Sequence, residues 1–329
     1  MSNIEAVGLG ALNTDHLYQV ERILEDEEAV VNWAEPFAGG SAANTIYGLA
    51  KLGVNTGFIG AVGDDTEGKV SIQDLQKVGI DTSQIRVKSG ARTGLVLCLS
   101  DRQGKRSLYV IPGANNLITI DDFSLTFVNR TRMLHISSFT DDRQFKVLRE
   151  LMGKLDSSIK VSFAPGALYA AKGLKALTPI LVRTYVLFIN QNELRQLTGE
   201  DVIAGTEICL KHGCHMVAVT LGKGVRLELG KGVSHNIVTA VSYIRDADNE
   251  YAVEITSQHI KAEVDTTGAG DAFAAGFLYS LLKGKGLEEC GRLGDIVARF
   301  SITRAGAREG LPSLAELTNR YRKLYSKQL

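Results

Sequence analysis

Short β-branched runs alternate with amphipathic helical stretches along almost the whole chain, and this alternation restricts the fold more than any other feature. Strands are expected at Ala6–Leu9, Thr56–Ala61, Met133–Ile136, Lys160–Ser162, Tyr185–Ile189 and Met216–Thr220. Helices are expected at Ser41–Lys51, Glu67–Lys77, Arg143–Leu155, Gln191–Leu197, Val202–Lys211, Asp271–Lys283, Leu287–Arg304 and Leu314–Lys323. Parallel strands need long crossovers, and helices supply them, so the pattern predicts an α/β domain with a mostly parallel sheet under covering helices. Gly53 and Gly79 stand where helices would end. With no internal repeat, low-complexity tract or long linker, residues 1–329 are expected to form a single domain.

Two stretches break the rhythm. Glu28–Phe37 and Thr93–Ile111 read as strands with no helix between them, and Asp101-Arg-Gln-Gly104 is a hairpin signal. A small sheet, contributed by about 14–37 and 93–112, is therefore expected to project from the main body. Such a sheet can act as a lid that excludes water from a transfer reaction, or it can be an edge elaboration without a gating role.

Lys plus Arg and Asp plus Glu number 37 each, so no global basic field favours nucleic acid or an anionic membrane as partner. No apolar run is long enough to span a bilayer and no leader pattern opens the chain, which points to a cytoplasmic protein. The four cysteines are scattered and expected to be reduced. Cys209, His212, Cys214 and His215 cluster, but their spacing fits no zinc pattern.

Five small polar or glycine-rich segments carry chemistry. Asp265-Thr-Thr-Gly-Ala-Gly-Asp271 precedes an apolar helical run, and a glycine turn opening a helix is an anion cradle, or simply a capped helix start. Asp271 is the odd member, because a carboxylate repels an anion unless it takes a proton from a nucleophile attacking a phosphoryl group. Gly39-Gly40-Ser-Ala-Ala-Asn44 lets a ligand approach the backbone, with Asn44 offering a donor and an acceptor. Gly8-Leu-Gly10-Ala-Leu-Asn13-Thr-Asp15 lacks the third glycine and the helix of a dinucleotide fingerprint. Asn13 and Asp15 instead suit sugar hydroxyls at a strand's carboxyl end. Asn190-Gln-Asn-Glu193 after a strand can position hydrated magnesium and phosphate, form a capping box, or do both. Thr220-Leu-Gly222-Lys-Gly224 offers small residues beside a nucleotide, or an ordinary turn.

From Gly8 to Pro312 these segments resemble the ribokinase family of sugar kinases, also called the phosphofructokinase B family. The two glycine motifs at Gly39–Asn44 and Asp265–Asp271 carry the resemblance most specifically, and Thr303-Arg-Ala-Gly306 adds to it. The resemblance implies a three-layer α/β/α ribokinase-like fold with a β-sheet lid. It also implies transfer of the γ-phosphate of ATP to a hydroxyl of a small sugar, with a nucleoside as the alternative acceptor and a sugar-binding regulator as the non-catalytic one. By similarity, Asp271 is the general base, and the N–H groups of Gly268, Ala269 and Gly270 form the anion hole. Asn13, Asp15, Gly39, Gly40 and Asn44 match sugar-binding positions. Asn190 and Glu193 match positions for phosphate and water-bound Mg2+, and Thr220, Gly222 and Gly224 border the nucleotide. Asp265, Thr267, Ser301, Arg304, Gly306 and Gly310 match a loop that holds a monovalent cation such as K+ in relatives. The lid in ribokinases also supplies a homodimer interface.

The chain departs from ribokinase in four places. Ser137-Ser138-Phe139 stands where ribokinases carry a glutamate for the sugar, and Ser41-Ala42 replaces a lysine-glycine pair. Phe163-Ala164-Pro165-Gly166 has alanine where many relatives have Asp or Asn, and the stretch 230–261 is long, with hairpin character near Asp246–Asn249. These changes weaken the case for ribose and leave the phosphate machinery intact. Trp33 in the lid, with Phe139 or Tyr109, would provide an aromatic surface for a base.

Overall fold

The computed structural model describes residues 4–24, 28, 30–31, 33–101, 106–230, 236–255 and 264–329. In chain order the elements are β1 (Ala6–Leu9), β2 (Asn13–Val20), β3 (Trp33–Gly39), α1 (Ser41–Lys51), β4 (Thr56–Gly63), α2 (Thr66–Lys77), β5 (Asp81–Lys88), β6 (Gly94–Asp101) and β7 (Arg106–Ile111). There follow α3 (Leu125–Val128), β8 (Met133–Ser137), α4 (Asp142–Lys154), β9 (Lys160–Ala164), α5 (Gly166–Ala170), α6 (Gly173–Leu181), β10 (Thr184–Asn190), α7 (Gln191–Thr198) and α8 (Val202–Lys211). The last are β11 (Met216–Leu229), β12 (Asn236–Asp246), β13 (Glu250–Glu254), α9 (Ala269–Leu282), α10 (Leu287–Ser301) and α11 (Leu314–Tyr325).

Nine strands form the main sheet, in the order β13-β12-β11-β10-β9-β8-β1-β4-β5. The pairs from β11 to β5 are parallel, whereas β12 and β13 add antiparallel at one edge. Because side chains alternate along a strand, each central strand feeds two cores. On β10, Leu187 and Ile189 enter the core that holds Leu148 of α4, Leu177 of α6 and Leu194 of α7. Val186 and Phe188 enter the opposite core with Ile46 of α1, Phe277 of α9, Leu293 of α10 and Leu317 of α11. Helices thus cover both faces, giving the expected α/β ribokinase-like architecture. The second sheet has four strands in the order β3-β2-β6-β7.

Several expectations shift in detail. The strand expected to end at Thr220 runs on to Leu229 with a register break between Thr220 and Val225, because β12 pairs along it. Gly222 and Gly224, both at positive φ, lie at that break and not in a closing turn. The lid strand expected from Glu28 begins at Trp33, and α5, α6 and β5 had no clear periodic signal. Around Asp246–Asn249 the chain does turn back, with Asp246 Oδ1 accepting from the backbone of Asp248 and Asn249. The turn at Arg102–Gly104 and the Trp33 side chain lie outside the described residues. The Cys–His cluster does not converge: Cys209 and Cys214 join the hydrophobic core, while His215 stacks on Tyr185.

A histidine lies in this core. His135 on β8 is fully buried, with Nδ1 2.8 Å from Ser162 Oγ, and burial pushes its pKa down to about 3. The unfolded chain therefore takes up this proton first as pH falls below about 6.5, and stability is lost from there toward the folded value. Between pH 7 and pH 5 the loss from this one group is about 2 kcal/mol. Denaturant unfolding at both pH values should show His135→Gln losing less stability on acidification than wild type by about that amount.

Candidate active site

Three of the segments singled out in the sequence, Gly8–Asp15, Gly39–Asn44 and Asp265–Asp271, meet in a cleft where the carboxyl ends of β1 and β8 face the lid sheet, the edge at which open α/β sheets bind ligands. The centre is Asp271, in the first turn of α9. Gly268 caps this helix in the left-handed region, at φ 75°. A side chain there would also lie 2.5 Å from Ala307 Cβ, so only glycine fits. Next to it, Gly270 faces open space, where a ligand can reach the backbone.

The Asp271 carboxylate is gripped from α1. Ser41 Oγ donates to Oδ1 at 2.7 Å and Asn44 Nδ2 donates to Oδ2 at 2.9 Å. Thr45 Oγ1 donates to the Asp271 carbonyl at 3.3 Å. Burial raises the Asp271 pKa to about 6, against the two hydrogen bonds and the nearby Arg308 charge, which hold it down. The result is a carboxylate that is ionised at neutral pH and still basic enough to accept a proton, as general-base catalysis requires.

Above Asp271 lies a cleft of about 290 Å³ between the body and the lid. Its floor is polar, with Asn13, Asp15, Ser41, Asn44 and Asp271, and its outer wall is apolar, with Leu17, Val96, Leu108, Val110, Phe139 and Leu168. Asp15 packs directly on Gly39, where a Cβ would lie 2.2 Å from its Oδ1. Burial lifts the Asp15 pKa to about 7, Arg308 opposes this, and Asp271 and Asp265 add to it. Among the described residues nothing hydrogen-bonds Asp15 Oδ1, so a ligand hydroxyl would meet an unsatisfied acceptor there. Asn13 Oδ1 accepts from Asn115 Nδ2 at 3.0 Å, and Asn115 also bonds the Leu12 N–H and carbonyl.

Beyond Asp271, Asn190 ends β10 beside Thr220 of β11. Asn190 caps α7 through the N–H groups of Asn192 and Glu193, and Glu193 Oε2 accepts from the Asn190 N–H at 3.1 Å. Burial raises the Glu193 pKa, and the Asp271 charge adds to it. A buried carboxylate under such strain suits a nearby cation. The segments 264–267 and 301–310 also meet. Asp265 Oδ1 accepts from Thr267 N at 2.9 Å and Oδ2 from Gly306 N at 3.0 Å. The carbonyl oxygens of Phe300 and Ser301 both lie 2.5 Å from where a Gly310 side chain would start. Arg304 is exposed, with its Nη1 3.4 Å from the Glu309 carbonyl that precedes Gly310.

Four residues at the site had no assigned role in the sequence. Ser41 stood out only as a departure, as did Ser137, whose Oγ accepts from the Ala42 N–H at 3.2 Å. Asn115 and Arg308 gave no signal, since both sit in irregular segments remote in sequence from their partners. Asn44, read as a ligand-facing amide, has its donor on Asp271 and its acceptor on Arg308 Nε at 2.9 Å.

A carboxylate held beside a glycine-opened helix N-terminus under a covering sheet suits phosphoryl transfer. Residues 3–314 match the pfkB family of carbohydrate kinases, and the chain belongs to that family. It is 36% identical over 265 residues to an uncharacterized sugar kinase of Archaeoglobus fulgidus, covering 80% of this chain and 98% of the relative. It is 26% identical to the nucleoside kinase of Methanocaldococcus jannaschii over 98% of both chains. The crystal structure of Thermotoga maritima ribokinase shares the fold, with a TM-score of 0.79 and 24% identity, over 97% of this chain and 99% of that one. No helix among the described residues is long and apolar enough to cross a membrane.

The two glycines of the α9 turn make a direct comparison. Gly268→Ala combines a left-handed backbone with a clash and should cost about 1–3 kcal/mol, whereas Gly270→Ala meets nothing within 4 Å. Thermal melts should show a clear fall for the first and a change of no more than about 1 kcal/mol for the second.

Proposed function

We propose that this carbohydrate kinase transfers the γ-phosphate of ATP to a hydroxyl of a small, uncharged sugar, with Asp271 as general base. The observation that carries the proposal is the buried Asp271 carboxylate, with a pKa near 6, between the polar floor of the cleft and the N-terminus of α9. The acceptor oxygen forms its bond to the γ-phosphorus as the bond to the β-phosphate oxygen breaks and ADP leaves. The hydroxyl proton passes to Asp271. Charge on the transferred group faces the N–H groups of Gly268, Ala269 and Gly270. Asn13, Asp15, Gly39 and Gly40 hold the sugar, while Thr220, Gly222 and Gly224 border the nucleotide.

Asn190 and Glu193 would hold the phosphates and a water-bound Mg2+. Bound with the nucleotide, Mg2+ supplies charge neutralisation between the phosphates. Asp265, Thr267, Ser301, Arg304, Gly306 and Gly310 are the candidates for a K+ loop, in which Asp265 orients the backbone. A homodimer through the lid is also proposed, because edge strand β7, beyond the Leu108 and Val110 that line the cleft, carries exposed Tyr109 and Ile111.

Two observations narrow the acceptor. The described lining of the cleft contains no Lys or Arg, and two carboxyl groups face into it. A phosphorylated acceptor would lack a counter-charge there. The apolar outer wall favours a second reading, a nucleoside whose base rests on Phe139 and Leu168 while its ribose meets Asp15. An ADP-release screen across ribose, fructose, their phosphates, 2-keto-3-deoxygluconate and nucleosides, with and without K+, separates these. Turnover is expected with neutral acceptors only, and efficient use of a sugar phosphate would reject the uncharged-acceptor assignment.

Asp271→Asn should keep the fold and lower kcat by about 10²–10⁴. Near-normal turnover would remove Asp271 as the base. Because protonated Asp271 cannot accept a proton, wild-type kcat/KM should fall as pH drops through about 6.

A further inference from the structure

Arg308 lies in the loop between α10 and α11 and is only 4% exposed. A guanidinium buried this deeply needs all-round hydrogen bonding to offset its desolvation. Arg308 finds it on three elements at once. Nε donates to Asn44 Oδ1 on α1 at 2.9 Å, Nη1 to Asp74 Oδ2 on α2 at 2.8 Å, and Nη2 to the Gly39 carbonyl at the end of lid strand β3 at 3.1 Å. Its plane also stands 5.2 Å from the Tyr47 ring centre.

The bond to Asn44 has a directional consequence. A carboxamide can sit in two orientations related by a half-turn, and only its neighbours choose between them. With Arg308 donating, Asn44 must present its oxygen to the guanidinium and its NH₂ to Asp271. The reverse orientation would set NH₂ against guanidinium and oxygen against carboxylate, two repulsive contacts at once. The geometry points to Arg308 as a positioning residue for phosphoryl transfer: through Asn44 it fixes the hydrogen bond on the base Asp271, and through Gly39 it ties the end of lid strand β3 to that same assembly. This rests on the proposed role of Asp271 as base.

Lysine would keep the charge but not the three-way fork, and methionine would keep neither. The charged and titratable groups that face Asp271 are Asp15 on β2, Glu193 on α7 and Arg308 itself, with Asp265 near Asp15 and Asp74 paired to Arg308. Of these, Arg308 alone favours the ionised base. Its removal should therefore move the acidic limb of the kcat/KM–pH profile to higher pH.

The test measures kcat, KM and their pH profiles for Arg308→Met, Arg308→Lys, Asn44→Ala and the Asn44→Ala/Arg308→Met pair. Asp271→Asn serves as reference, on the acceptor that wild type uses best. Near-UV circular dichroism checks folding. Arg308→Met is expected to lose about 10² in kcat, the scale for misplacing a reacting group from outside the site. Its acidic limb should move up, and its KM for ATP should change little. Arg308→Lys should keep the limb near the wild-type position and recover part of kcat. In the Asn44→Ala background the Met substitution should cost far less than in wild type, because its route to Asp271 is gone. A folded Arg308→Met enzyme with an unmoved limb, or fully additive losses in the pair, overturns the inference. If Arg308→Met does not fold, Arg308→Lys decides: wild-type kcat without the fork overturns it, and reduced kcat with an unmoved limb supports it. Full turnover by Asp271→Asn would instead reject the base assignment and leave Arg308 with a structural role alone.

Discussion

The contact between α1 and α9 is the constraint on which the site depends. It brings Ser41 and Asn44 onto the carboxylate of Asp271, 230 and 227 residues away along the chain. The helices can approach because small residues face each other: a side chain on Gly48 would come within 2.7 Å of Ala275 Cβ. If the helices were spaced by larger side chains, Asp271 would lose both donors. It would then be a buried carboxylate without hydrogen bonds, which would take up a proton and stop being a base.

The charge distribution follows the same logic. An anion-binding helix start beside two carboxyl groups looks contradictory until burial is considered. Burial raises Asp15 to about 7 and Asp271 to about 6, so the cleft carries less negative charge near neutrality than its composition suggests. Arg308 and Asp74 sit behind the cleft and not in it, so the guanidinium acts on the carboxylates without offering itself to the acceptor. The cleft thus pairs a polar floor with an apolar outer wall.

Much of the fold was legible in the sequence, for a simple reason. The central strands and long helices carry strong periodicity, and α1 and α8 fall at their expected boundaries. The short helices α5 and α6, with Pro179 inside the latter, have too little pattern to stand out. The extension of β11 past Gly222 and Gly224 was hidden because two glycines read as a turn, while pairing with β12 holds them in a strand break. At the site, Asp271, the glycine turn, Asn13, Asp15 and Asn44 announced themselves through unusual residues at strand ends and helix starts. Asn115 and Arg308 did not, because a single polar residue in a loop has no local signature.

By itself, the sequence determined the family, the layered α/β body, the lid sheet and the place of the glycine turn that opens α9, since each is written in local periodicity or in a contiguous motif. Only the tertiary structure decided how those pieces act on one another. It showed that Ser41 and Asn44 hydrogen-bond Asp271, that Arg308 donates to Asn44, and that the lid turns apolar side chains toward the cleft. Hydrogen-bond direction, burial and the pKa values that follow from them depend on distances between residues far apart in the chain, and no local pattern encodes those distances.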